Sequence, residues 1–242
     1  MSGTVGPRPE SIFNRFSFDF DGTDEFVTMG NTINMAQDGS DAFSFSFWMK
    51  RTNGSGVQSF LGKVQDSGKG VNIYVNGTTI YMLIGTYSNA CLFGSHNFLA
   101  LNNGSWHHIA WTYDGSSSIS GMKLYINNDP KTIFSTIENT PINLQNSSTD
   151  FIIGSRPSSF RYNGLIDEVS YFDSVLSASD VTTVYNGGTP KDLSSFSPIS
   201  WWRCGDEANF SGGVWTLTDQ GSGGNDGTSN NMDENNRVLD TP

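Results

Sequence analysis

The chain has 242 residues, 36% of them hydrophobic, and its 17 Phe, 8 Tyr and 6 Trp supply the bulk for a sizeable core. It carries 13 basic against 24 acidic residues, a net charge of −11 with no Lys/Arg cluster, which argues against nucleic acid and against an anionic membrane surface as partners. No apolar run approaches the roughly 20 residues that cross a bilayer as a helix, and two cysteines, Cys91 and Cys204, are too few for a disulfide framework or a zinc site.

Residues 1–12 contain Gly6, Pro7 and Pro9 and no periodicity, so they read as an extended arm suited to clasping a neighbouring subunit. The start of the chain lacks the charged end and apolar core of a secretory signal. Phe16, Phe18 and Phe20 alternate with polar residues, the pattern of a half-buried strand. Asp21-Gly22 turns the chain and 25–29 runs back. Phe43, Phe45, Phe47 and Met49 form the next inward face, leaving Ser44, Ser46, Trp48 and Lys50 on the other side. Val71, Ile73 and Val75 alternate again. Asn76-Gly77 then reads as the tight turn of a hairpin to 80–84, because such a turn needs positive φ at both central residues. Shorter candidate strands follow at 91–93 and 98–101.

The densest patterning lies between Trp106 and Tyr185. Trp106-His107-His108-Ile109-Ala110-Trp111-Thr112-Tyr113-Asp114-Gly115 opens it, then Met122-Lys123-Leu124-Tyr125-Ile126-Asn127, Phe151-Ile152-Ile153-Gly154, and Gly164-Leu165-Ile166-Asp167-Glu168-Val169-Ser170-Tyr171-Phe172. Each run is strand-length and closed by a turn residue or followed by polar residues. Ser177-Ala178-Ser179-Asp180 has the reciprocal spacing of a helix cap and predicts a two-turn helix, stopped by Asn186-Gly187-Gly188. These runs, with Phe18-Asp19-Phe20-Asp21-Gly22 before them, resemble the laminin-G-like jelly-roll modules of the concanavalin A-like lectin/glucanase superfamily. One departure is Asn127-Asn128-Asp129-Pro130, where that family usually has Asn-Gly, so the tightness of this turn is open.

The resemblance implies an all-β fold, a sandwich of two antiparallel sheets with one short helix, over residues 13–190. Residues 191–242 read as an acidic, Gly-rich C-terminal extension whose front, with strands near 199–204 and 214–217, packs on the sandwich and whose end is loose. What the resemblance implies for function is binding: to glycans, to proteins, or to copies of itself in an oligomer. Modules that look like this are common in phage structural proteins and bacterial surface proteins. The expectation is therefore a virion component that decorates the particle surface or forms part of a fibre, touching other virion subunits. The alternative is a secreted or cell-surface lectin-like adhesin.

Catalytic patterns are absent from the sequence. Retaining glycosidases need two carboxyls about 5 Å apart on one sheet face, and no Glu-x-Asp-x-Glu occurs. Asp167 and Glu168 are adjacent, so regular alternation sends them to opposite faces, and the same holds for His107 and His108. No Gly-x-Ser-x-Gly, His-Glu-x-x-His or phosphate-binding loop is present. The chain therefore reads as a non-enzyme. Asp167 is placed by alternation beside Leu165, Val169 and Tyr171, where a carboxylate needs a partner: backbone N–H groups, Arg156 or Arg161, or Ca2+. Some members of the superfamily hold Ca2+, and Asp21 and Asp24 are further oxygen ligands of the right kind. Trp48 among hydroxyls suits sugar stacking, although a loop or the helix over it would bury it. Tyr87-Ser88-Asn89 and Arg161-Tyr162 are loop candidates for a polar-aromatic binding rim.

Overall fold

The structure is a computed structural model and describes residues 13–52, 55–87, 90–102, 104–144, 148–157 and 159–242. The arm at 1–12 and Ser88-Asn89 lie outside these residues. Among the described residues, 18 strands form two antiparallel sheets and one α-helix lies across them. The first sheet runs, in spatial order, Asp129–Lys131, Met122–Ile126, His107–Tyr113, Phe43–Arg51, Asn163–Phe172, Ser17–Asp21 and Arg237–Val238. Ser200–Trp202 pairs with the far half of Asn163–Phe172. The second sheet runs Phe134–Glu138, Ala90–Asn97, Thr79–Thr86, Lys69–Asn76, Val57–Val64, Ile152–Ile153, Phe26–Thr28, Gly227–Asn230, Val214–Leu217 and Ala208–Ser211.

The core lies between the sheets. Phe18, Phe20, Phe43, Phe45, Phe47 and Met49 enter it from the first sheet, as their alternation predicts, and Val71, Ile73 and Val75 meet them from the second. Phe45 stacks on Phe151 at 5.8 Å and Phe47 packs on Phe60 at 5.5 Å, so aromatic bulk bridges the layers. Both cysteines are buried.

Two turns differ from expectation. Asn76 pairs with Thr79, so the first hairpin turns on Gly77-Thr78, with positive φ at Gly77. Asn127 and Asn128 both have positive φ and connect Ile126 directly to its partner Asp129. This is the two-residue hairpin turn with both centres left-handed, as tight as an Asn-Gly would make it. Pro130 is tolerated there because its strand is an edge. The candidate strand at 98–101 is instead the 3-10 turn Leu99–Asn102.

The helix Ala178–Tyr185 has the predicted reciprocal cap, Ser177 with Asp180, and ends at Asn186 in the left-handed conformation. It covers the outer face of the first sheet through Leu176, Val181 and Val184, against Phe172, Leu193 and Trp201. The C-terminal stretch does not end loosely. Gly227–Asn230 pairs with Phe26–Thr28, and Arg237–Val238 pairs with Ser17 and Phe18. The first strands of the chain thus offer hydrogen-bonding edges that the extension fills.

Candidate functional site

The exposed face of the second sheet carries an aromatic cleft of about 480 Å3. It follows from strand alternation. Val71, Ile73, Val75, Ile80, Met82, Ile84 and Leu92 point inward, so Tyr74, Tyr81 and Phe93 stand outward on three adjacent strands. Tyr74 lies directly opposite Tyr81 in the ladder, and Phe93 opposite Leu83. The rings overlap in offset-parallel fashion: Tyr74 to Tyr81 is 5.1 Å at 16°, and Tyr81 to Phe93 is 5.4 Å at 11°. Phe160 continues the row beyond Tyr74 at 6.2 Å, and Tyr87 closes the other end edge-on to Phe93 at 5.1 Å.

The polar rim comes from loops. Arg156 lies over Phe160 with its guanidinium 4.6 Å from the ring. Its Nη2 donates to the carbonyls of Gln65 and Asp66 at 2.9 and 2.6 Å, which fixes the side chain. Burial lowers the Arg156 pKa, but from a value so high that the group stays charged. Burial, with Tyr87 and Tyr81 nearby, pushes the Tyr74 phenol up, so it keeps its proton and remains a donor. Asp66, Asn76 and Thr136 complete the lining. The surface therefore offers ring faces and edges beside fixed hydrogen-bonding groups, the combination that holds a sugar's apolar face and its hydroxyls.

Of the site residues expected from sequence, only Tyr87 belongs to this cleft; it is 46% exposed. Tyr162 is enclosed in the core between Phe20 and Phe60. Arg161 is half-buried over the Phe26 ring at 4.8 Å, away from the cleft lining. Trp48 is not a rim residue: it is 4% exposed, stacked on Tyr185 of the helix at 5.8 Å and tilted against His108 at 5.0 Å. The sequence reading missed Tyr74, Tyr81, Phe93, Phe160 and Arg156. A signal for the first two exists, since each takes an outward position beside the hairpin turn.

The alternation argument for Asp167 fails at a β-bulge. Asp167 pairs with Trp48 but Ser170 already pairs with Ser46, and Glu168 takes φ +49. The extra residue returns Val169 and Tyr171 to the core and leaves Asp167 and Glu168 together on the outer face. Asp167 accepts from Asn14 Nδ2 and from the Glu168 backbone N–H, both at 2.8 Å, not from Arg156 or Arg161. Glu168 accepts from Arg203 Nε at 3.0 Å and Trp201 Nε1 at 2.5 Å. Arg203 Nη2 also donates to the Phe13 carbonyl, and Asp206 accepts from the N–H groups of Arg15 and Phe16.

Burial is the main force raising both carboxyls; the charge of Glu168 adds to it at Asp167, and Arg203 opposes it at Glu168, which is pushed up to about 7. His108 is held neutral by burial, its pKa drawn down to about 3, with Nε2 2.8 Å from Ser46 Oγ. The carboxyl pair is closed over and its oxygens are occupied, so it offers no surface to a polysaccharide. The residues expected to hold Ca2+, Asp21, Asp24 and Asp167, are not gathered into one site. Each Asp167 oxygen already accepts an N–H, Asp21 takes the Thr23 N–H at 2.6 Å, and Asp24 is exposed. Among the described residues no three His, Cys, Asp or Glu are placed to share an ion.

The family model of the concanavalin A-like lectin/glucanases superfamily, in its laminin G form, matches residues 21–182. Similar solved structures include a candidate carbohydrate-binding protein from Bacteroides ovatus, 14% identical with a TM-score of 0.66, over 95% of this chain and 60% of that one. The chain thus spans 60% of the length of that protein. The CBM40 module of the Ruminococcus gnavus IT-sialidase, bound to α2,3-sialyllactose, is 13% identical with a TM-score of 0.51, over 69% of this chain and 95% of that one. The binding domain of botulinum neurotoxin serotype D is 16% identical with a TM-score of 0.52, over 86% of this chain and 54% of that one. At these identities the likeness is one of fold. No curated protein sequence matches. With the two-sheet sandwich, the matched residues show that the chain belongs to the concanavalin A-like lectin/glucanase superfamily, as a laminin-G-like jelly roll.

Proposed function

We propose that this protein is a non-enzymatic glycan-binding module that takes sugar units in the cleft of Tyr74, Tyr81 and Tyr87, supported from beneath by the largely buried Phe93 and Arg156. The observation that carries this reading is the row of overlapping rings on an open sheet face, bordered by a guanidinium fixed on two backbone carbonyls. A core needs no such row, because the inward positions of the same strands already supply one. The only paired carboxyls discussed above are enclosed, which favours binding over hydrolysis. A place on a virion or cell surface is part of the proposal, since glycans are met there. The virion role itself rests on composition and on the arm at 1–12.

The test is a glycan array followed by calorimetry on the full chain. Wild type should bind at least one glycan class, and Tyr81→Ala should weaken that binding on the order of tenfold, the worth of one ring contact with its buried area. The melting temperature should change little, because Tyr81 is half-exposed. Binding that is indifferent to both Tyr81→Ala and Tyr87→Ala would move the site elsewhere.

A further inference from the structure

A second cleft, of about 530 Å3, lies where the C-terminal stretch brings an edge of each sheet together, outside the residues matched by the family model. Arg237 lines it. The guanidinium carbon is 4.7 Å from the Phe16 ring and 4.9 Å from the Trp215 ring. Both rings therefore lie against the one cation. Among the described residues Arg237 joins no ion pair, although the chain as a whole is strongly acidic. Arg15 lies over the same Phe16 ring at 5.4 Å.

We propose that this cleft is a separate binding site for a carboxylate-bearing sugar unit. Arg237 is exposed, lies over both rings and joins no ion pair among the described residues, so its guanidinium is left to pair with a ligand. A guanidinium fork matches a planar, two-oxygen acceptor better than a single point charge. The rest of the lining argues for a polyol attached to that carboxylate. Asn209 and Asn235 each present an amide, Glu234 an acceptor for hydroxyls, and Phe210, 5.1 Å from Trp215, an apolar wall. Glu234 also disfavours multiply charged chains, because like charges at close range repel. The cleft is thus suited to one negative charge among hydroxyl groups.

The site is independent of the aromatic cleft, so the two readings fail separately. The experiment titrates the full chain with galacturonate and with galactose, read by tryptophan fluorescence and by the side-chain amide resonances of Asn209 and Asn235. Galacturonate should bind, galactose far more weakly. Arg237→Met, which keeps an unbranched apolar stem beside the rings, should lose at least about tenfold, the worth of a charge-assisted bidentate pair. Arg237→Lys should recover only part of that loss, and Tyr81→Ala should leave galacturonate binding unchanged. Equal binding of the two sugars, full binding by Arg237→Met, or loss through Tyr81→Ala would overturn the proposal. If Arg237→Met does not fold, the wild-type amide shifts decide: movement of Asn209 and Asn235 with galacturonate alone supports the site, and no movement overturns it.

Discussion

Replacing Glu168 by Gln tests whether the enclosed carboxyls strain the fold at neutral pH. The folded Glu168 carboxyl is pushed up to about 7 from an ordinary 4.5. Between those values the unfolded group is ionised while the folded one keeps its proton. The native state then binds more protons, and stability falls as pH rises through this window. A shift of that size corresponds to on the order of 3 kcal/mol, fully present below the unfolded value and lost above the folded one. Asp167 is raised in the same direction and adds to the fall. Gln is neutral like the protonated carboxyl and does not titrate, but it keeps only one acceptor oxygen. Urea unfolding of wild type and Glu168→Gln across this range should therefore show a slope for wild type and a flatter one for the variant. The variant should be less stable than wild type in acid, because its amide nitrogen cannot accept from Arg203 or Trp201 as the second carboxyl oxygen does, and that deficit should shrink as pH rises. If Glu168→Gln is instead most destabilising at the higher pH, the Arg203 ion pair outweighs burial and the argument is wrong.

Trp48→Ala should cost about 3–5 kcal/mol in urea unfolding, because it removes a buried ring packed on Tyr185 and His108, and should leave glycan affinity unchanged. Asp167→Ala should lower stability by about 1–3 kcal/mol by leaving the Asn14 amide without its acceptor, whereas a chelator should leave the wild-type melt unmoved. Gly164→Ala should destabilise by about 3 kcal/mol or more, or prevent folding. Its φ is +138, and an added Cβ would stand 2.2 Å from the Lys50 carbonyl. Circular dichroism and soluble yield would check it. Ser177→Ala should lower the melt by the equivalent of about 1 kcal/mol through loss of the helix cap.

Local signals carried the fold well. Period-two alternation marked the faces of Phe43, Phe45, Phe47 and Met49, and the reciprocal spacing of Ser177 and Asp180 marked the helix, because each depends on neighbours a few residues away. Val57–Val64 was harder to read. Its residues are buried on both sides, and a register shift between Ser59 and Leu61 breaks the alternation. The bulge at Glu168 defeated the same rule, since a left-handed Glu has no signature in composition. The aromatic cleft was the least legible feature. Its rings come from three strands and two loops, and Phe160 approaches Tyr74 only after the sheet is assembled.

The pairing of Phe26–Thr28 with Gly227–Asn230, and of Ser17–Phe18 with Val238–Arg237, has a consequence during synthesis. A chain leaving the ribosome exposes its first two strands long before their partners exist. Even Asn163–Ile166, the other neighbour of the opening strand, arrives late. The nascent protein must hold unpaired edges and bare phenylalanines while some two hundred residues are made, a state prone to edge-to-edge association. Closure of the sandwich then waits on distant segments, which slows folding. A nascent chain stalled before Gly227 should engage chaperones and be cut by protease near Phe26, and one extended past Val238 should resist cleavage there.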